Sequence, residues 1–325
     1  MPKMIALCAG LLLAASACGG AASSPKSAEA QAGETAGSGL ITARGSRVSL
    51  WLPEGAVRPL RMLLYVNENP GVSVGIMEMT GADEKAAGEM LRGAIDGATE
   101  QGLEEQSPAS RGAASGILAQ GEVRGLAVKV LLLRQGLAVA SITVQHEPSA
   151  GAIVEKILAS IRVNEKAALD PLAVHGMAIA DLQGFEVWPM MAHPIMLREP
   201  GTKPPFPPGS PLLALMVLPY EKPDPTDQEL GQALGGLLAN MQPNLEQAKH
   251  RPFKLDDLPA VEVIAPGKKD GVEIEAYGFI ARGADSAIAG FGHVGKERSA
   301  DVVQRFAGLV GSIQLDDSIV GPPAR

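Results

Sequence analysis

One stretch of this sequence spells a literal binding motif: Gly290-Phe291-Gly292-His293-Val294-Gly295, a G-x-G-x-x-G run between an apolar strand pattern and a helical one. A dinucleotide site needs such glycines at the tight turn that opens a helix, where backbone N–H groups and the helix N-terminus meet pyrophosphate. Here the glycines begin inside the strand pattern, and the helical pattern starts only near Ser299 with no further βα unit behind it. Glycine relieving close packing on a sheet is the better account, and no cofactor is expected. The five histidines, His146, His175, His193, His250 and His293, lack H-E-x-x-H or any similar ligand spacing. His146 and His293 stand near equivalent strand ends, so a shared metal is imaginable, but isolated histidines are commoner and no metal is expected. Ser115, in Gly112-Ala113-Ala114-Ser115-Gly116, falls one place too late for a G-x-S-x-G elbow. No catalytic residue is assigned, and the chain is expected not to be an enzyme.

Two other groups suit recognition rather than catalysis. Trp51 and Trp188 each stand close to a proline at the opening of one half of the chain. They are candidate ligand-stacking residues, although matched placement in two halves favours a structural role. Pro204-Pro205-Phe206-Pro207-Pro208 is a candidate partner-binding loop, because such a run favours an extended, preformed surface. A stiff connection between two strands is its plainer alternative.

Composition narrows the class. With 28 basic against 36 acidic residues and a formal charge of -8, the chain repels phosphate backbones, so nucleic-acid binding is not expected. The hydrophobic fraction of 46% supplies real cores, and the length suits about two domains of about 150 residues. Both cysteines, Cys8 and Cys18, lie in the first eighteen residues, which leaves the rest without a disulfide framework or a thiol nucleophile.

The N-terminus has the pattern of an address. Lys3 precedes an apolar run from Met4 to Ala17, a signal-peptide length too short to span a bilayer, where about 20 apolar residues are needed. It ends in Leu13-Ala14-Ala15-Ser16-Ala17-Cys18, which resembles the lipobox of bacterial lipoproteins, with Ala15 where Leu is more usual. The resemblance implies removal of residues 1–17, lipidation of Cys18 and attachment to a membrane through that lipid. Residues 18–40 are mostly Gly, Ala, Ser, Glu and Gln, a composition expected to act as a flexible linker. Gly19 rather than Asp after the cysteine resembles the outer-membrane default, facing the periplasm, if the envelope is Gram-negative.

The body repeats itself. Ala87, Met90, Leu91, Ala94, Ile95 and Ala98 form one face of an amphipathic helix, and Leu230, Ala233, Leu234, Leu237, Leu238 and Met241 reproduce those positions 143 residues on. A second helix, with Val154, Ile157, Leu158 and Ile161, is matched by Phe306, Leu309, Val310 and Ile313, and both end in Ser-Ile. Apolar strands are expected at Val72–Met79, Leu126–Leu133 and Leu137–Val144, and again at Leu212–Leu218, Val272–Ala281 and Ala287–Val294. Arg124-Gly125 and Asp270-Gly271 mark hairpin turns.

Strands, helix, strands, helix in each half argues an α+β class with antiparallel sheets. This order, with the lipobox, resembles the PsbP-like superfamily, and the resemblance implies two tandem αβα-sandwich domains, residues 41–165 and 171–318, followed by a tail, 319–325. That superfamily consists mostly of binding and assembly factors without a shared catalytic site, which implies a non-catalytic accessory of the cell envelope with a protein partner. The alternative is a carrier or receptor for an apolar or lipidic ligand, for which Met190, Met191 and Met196 would suit as lining. An enzyme is the least favoured reading, resting on the glycine run alone.

Overall fold

The computed structural model describes residues 40–42, 44–53, 57–60, 64–68, 71–103, 105–123, 125–188, 194–219, 226–283 and 286–316. Residues 1–39, which hold the expected signal segment, Cys18 and nearly all of the expected linker, and residues 317–325, which include the expected tail, lie outside the described residues, as do His193, Met190 and Met191. The chain divides into two compact units, Met1–Val174 with Pro189–His193, and His175–Trp188 with Pro194–Arg325. Each is α+β with an antiparallel sheet, the class expected.

The first unit contains β1 (Ile41–Thr42), β2 (Val48–Leu50), β3 (Val57–Leu60), β4 (Leu64–Glu68), β5 (Gly71–Thr80), α1 (Glu84–Glu100), β6 (Glu105–Arg111), β7 (Ala114–Val123), β8 (Leu126–Gln135), β9 (Ala138–His146), α2 (Gly151–Ser160), β10 (Arg162–Val163) and α3 (Pro171–Val174). Seven strands pair in the order β3-β4-β5-β9-β8-β7-β6, and β1-β2-β10 make a small second sheet. Two meanders therefore meet at β5 and β9, and α1 carries the chain from the middle of the sheet to its far edge. Asp83 caps that helix by accepting a hydrogen bond from the Ala86 N–H at 2.7 Å.

Leu131, Leu132 and Leu133 on β8 are successive and all at most 1% exposed, which requires that both sheet faces be covered. On one face α1 packs Ala98, Leu91, Ala94 and Ile95 against Ala119, Val128, Val130 and Leu132. On the other, α2 places Val154, Ile157 and Leu158 on Leu131, Leu133, Ile142 and Val144, with Val48 and Leu50 of the small sheet beside them. Asn164 and Asp170, at the expected junction, are tied into this unit, their N–H groups donating to the carbonyls of Arg47 and Gly45, both at 2.9 Å.

The second unit contains β11 (Met177–Ile179), β12 (Glu186–Trp188), β13 (Ile195–Arg198), β14 (Leu212–Pro219), α4 (Asp227–Leu238), β15 (Lys249–Leu255), β16 (Leu258–Lys269), β17 (Val272–Arg282), β18 (Ser286–Gly295), α5 (Ser299–Gly311) and β19 (Ile313–Leu315). Its sheet order, β12-β13-β14-β18-β17-β16-β15, repeats that of the first, and β11-β19 repeats the pairing of β2 with β10. α4 starts in a capping box, Thr226 with Glu229. It packs Leu234 and Leu238 over Val263, Ala276 and Ala289. α5 covers the opposite face, where Phe306 meets Tyr277 with ring centroids 5.6 Å apart.

Strand pairing gives a residue-level match between the units. One row across the first sheet runs Pro108, Ile117, Leu132, Ser141, Met77. The row Pro252, Val261, Ile280, Ala289, Met216 occupies the same places in the second. From these rows, Ile142 corresponds to Gly290 and Gln145 to His293.

Candidate functional site

The two recognition candidates of the second unit come together. Trp188 ends the edge strand β12, where it pairs with Met196 of β13, and both are buried, at 3% and 6% exposure. Phe206, at the centre of the proline run, turns inward and meets the Trp188 ring edge-on at 5.3 Å between centroids. Arg198 approaches the same indole, its guanidinium carbon 5.7 Å from the ring centroid. The Arg198 guanidinium also donates to Glu186 at 2.9 Å and to the Thr202 carbonyl at 2.5 Å. Trp188 thus anchors the loop rather than offering a face to a ligand.

Loop 199–211 is fixed at further points. Glu199 receives both forks of Arg298, at 3.0 and 2.6 Å, and Arg305 at 2.9 Å. The Arg298 donors hold the Glu199 carboxyl below its usual value against the opposing effect of burial, and Arg305 adds to them. Arg305 also lies 4.4 Å from the Phe185 ring centroid and donates to the Gln183 carbonyl at 2.9 Å. At the other end the Gly295 N–H donates to the Gly209 carbonyl at 2.8 Å. The Pro204–Pro205 peptide is cis. Pro205, Pro207, Pro208 and Lys203 face solvent, while Pro204 and Phe206 are half-buried. Sequence reasoning found the prolines and missed this arginine-glutamate staple, whose partners stand 99 and 106 residues apart with no spacing signal. The signal available was length: β13 and β14 are joined by residues 199–211, whereas only Asn69 and Pro70 separate β4 from β5.

Trp51 is placed differently, which corrects the expected equivalence of the tryptophans. It follows β2 of the small sheet, whose counterpart is β11, whereas Trp188 belongs to the edge of the large sheet, whose counterpart is β3. The shared proline was coincidental, because three-residue strands carry too little pattern to align. Trp51 is half-buried; its backbone N–H donates to Ser160 Oγ at 2.8 Å, and Lys156 Nζ stands 3.5 Å from its ring centroid.

The glycine run lies within β18 itself, not at a turn before a helix. A Cβ on Gly290 would overlap the Phe279 ring, and one on Gly292 would overlap the Leu212 carbonyl oxygen. His293 faces α4 together with Ala289 and Ala276, and burial drives its pKa down to about 3, with Lys269 adding to the shift. His146 belongs to the face that carries α2, so these two histidines occupy opposite faces of their respective sheets. Its Nδ1 lies 2.8 Å from the Glu147 carbonyl. His250 is exposed on β15, and His175 is buried. Among the described residues no three His, Cys, Asp or Glu side chains group as metal ligands. Ser115 is the second residue of β7, opposite Ser110 and Arg134.

Among the described residues each unit buries one carboxylate. Glu78 accepts from the Arg47 N–H at 3.0 Å, from Arg47 Nε at 3.3 Å and from the Ser46 hydroxyl. Glu262 accepts from Tyr277 Oη at 3.2 Å and pairs with Arg251 at 2.7 Å. Both are satisfied networks inside a packed sheet, with the partners that buried charge requires.

No protein-family model matches the chain, and no curated protein matches it. Among solved structures it is similar to LpqN, involved in cell envelope biogenesis of Mycobacterium tuberculosis, at 10% identity and TM-score 0.33, over 43% of this chain and 82% of that one. It is similar to the PsbP of Synechocystis sp. PCC 6803, CyanoP, at 11% identity and TM-score 0.28, over 43% and 91%. The apo immunity protein TplEi of T6SS from Pseudomonas aeruginosa is matched at 12% identity and TM-score 0.34, over 86% and 97%.

Proposed function

We propose that the chain is a lipid-anchored protein of the cell envelope, built of tandem PsbP-like domains, that serves as a non-catalytic binding or assembly accessory. The observation that carries the binding role is the long, stapled loop 199–211, which holds exposed prolines in one conformation on the second unit. The anchoring role is supported by the apolar run and small residues leading into Cys18. No helix among the described residues is long and apolar enough to cross a membrane.

Fractionation of cells carrying Cys18→Ala tests the anchor. The unsubstituted protein is expected in the membrane fraction, labelled by a clickable fatty acid, and the variant in the soluble fraction without label. A Cys18→Ala protein that stays fully membrane-bound would remove lipidation from the proposal.

A further inference from the structure

The second unit spends thirteen residues, 199–211, on a connection that the first unit makes with two, Asn69 and Pro70. The same sheet order closes in both, so the fold does not require the added length. A loop of this length normally costs ordering entropy, yet this one is pinned through Glu199, Thr202, Phe206 and Gly209. Its outer side is apolar without bulky groups: Pro205, Pro207 and Pro208 are exposed, and Val272, 38% exposed, stands beside Gly209. Lys203 is exposed on the loop and makes no ion pair among the described residues, while Lys268 is exposed at the neighbouring Asp270-Gly271 turn. The nearby carboxylates Glu199 and Glu273 are engaged by Arg298 and Lys296, while Asp270 and Glu297 are exposed close by.

We infer that this plateau, Lys203, Pro205, Pro207, Pro208 and Val272, is a protein-docking surface whose partner presents aromatic rings to the pyrrolidine faces and carboxylates to the lysines. The inference rests on the accessory role proposed above and names the chemistry of its partner. Exposed prolines fixed in advance are the surface that aromatic side chains stack against with little ordering cost. An apolar centre with a charged rim is the anatomy of a protein interface. A membrane is the poorer occupant, because the one aromatic side chain of the loop, Phe206, is turned inward onto Trp188, so nothing bulky projects for insertion.

The test is site-specific photo-crosslinking of the full chain in its native cells, with the photoreactive residue at Pro207 and, as control, at Glu89 on the exposed side of α1. Pro207 is expected to give one discrete protein adduct absent from Glu89, the cross-linked partner peptide carrying Phe, Tyr or Trp near Asp or Glu. Lys203→Glu with Lys268→Glu is expected to cut the adduct by about tenfold, with thermal unfolding unchanged. Adducts from Glu89 but not Pro207 would overturn the surface while leaving the accessory role standing. Absence of any protein adduct from either position would overturn both. Adducts to phospholipid at Pro207 would replace the protein partner with the membrane.

Discussion

Phe279 stands opposite Gly290 and Tyr277 opposite Gly292, where the first unit sets Leu131 opposite Ile142 and Lys129 opposite Val144. Volume has moved from one strand to its neighbour: aromatic rings on β17 occupy the space that glycines on β18 vacate. This exchange produces the G-x-G-x-x-G spelling with no phosphate involved. Gly290→Ala is expected to destabilise the protein by about 1–3 kcal/mol through overpacking, and Phe279→Leu in the same chain should recover part of that loss. Strict additivity of the two in urea denaturation would refute the exchange. Gly292→Ala should cost at least as much and resist rescue, since its added carbon meets the Leu212 backbone rather than a side chain that can turn. His293 makes a second residue-scale prediction. Burial keeps it neutral in the folded chain down to about pH 3, whereas an unfolded histidine takes up a proton near its ordinary value of 6.5. The unfolded state therefore binds more protons between those values, so this contribution is complete above pH 6.5 and declines as pH falls towards 3, by about 1.4 kcal/mol per unit at most. Comparing the urea midpoints of the unsubstituted chain and His293→Gln at pH 7 and pH 5 checks it. The variant should lose less stability across that interval, and parallel losses would exclude His293 as the source. Glu199, whose carboxyl is held low, adds acid sensitivity only below its ordinary 4.5, which overlaps the lower part of the His293 range but lies below the pH 7 to pH 5 interval of the test.

Elements with long apolar runs were legible in the sequence, and short or interrupted ones were not. The helices at 84–100, 227–238 and 299–311 and the central strands at 71–80, 126–135, 212–219 and 272–282 fall within a few residues of the expected bounds, because buried faces impose a period. The outer strands β6 and β15 carry no such period, being mostly exposed, and each has a proline at its centre, which argues against a strand in a linear scan. Those prolines share a register, Pro108 opposite Ile117 and Pro252 opposite Val261. An edge-strand proline presents no N–H to an incoming strand, so the matched pair protects the same edge in both units. Pro108→Thr with Pro252→Thr is expected to leave the fold intact and convert the protein to concentration-dependent oligomers, read by light scattering on a sizing column. A double variant that stays as dispersed as the parent would show that these edges need no such protection. The loop at 199–211 was legible as prolines but not as a stapled element, since Glu199, Arg298 and Arg305 meet only once the sheet has brought β13 to α5.

At the scale of the molecule, one architecture is written twice with different side chains, and the differences separate what the fold needs from what was added. The sheet order, the proline edge and the Ser-Ile ends recur; in both, the serine hydroxyl donates to the carbonyl three residues back, Ser160 to Ile157 at 2.6 Å and Ser312 to Leu309 at 2.8 Å. The buried carboxylates stand in different rows, and the thirteen-residue loop belongs to one unit alone. Anchor and docking surface, as proposed, then occupy distant parts of the sequence and should fail independently. Replacing residues 199–211 by the two-residue connection of the first unit, Asn-Pro, is expected to leave the protein in the membrane fraction and to abolish the partner adduct, read with the crosslinker at Val272. Cys18→Ala should do the reverse in a purified mixture with the identified partner, releasing the protein from membranes while the adduct at Pro207 persists. Loss of both properties in either variant, with the fold verified by circular dichroism, would show that anchoring and docking are one device.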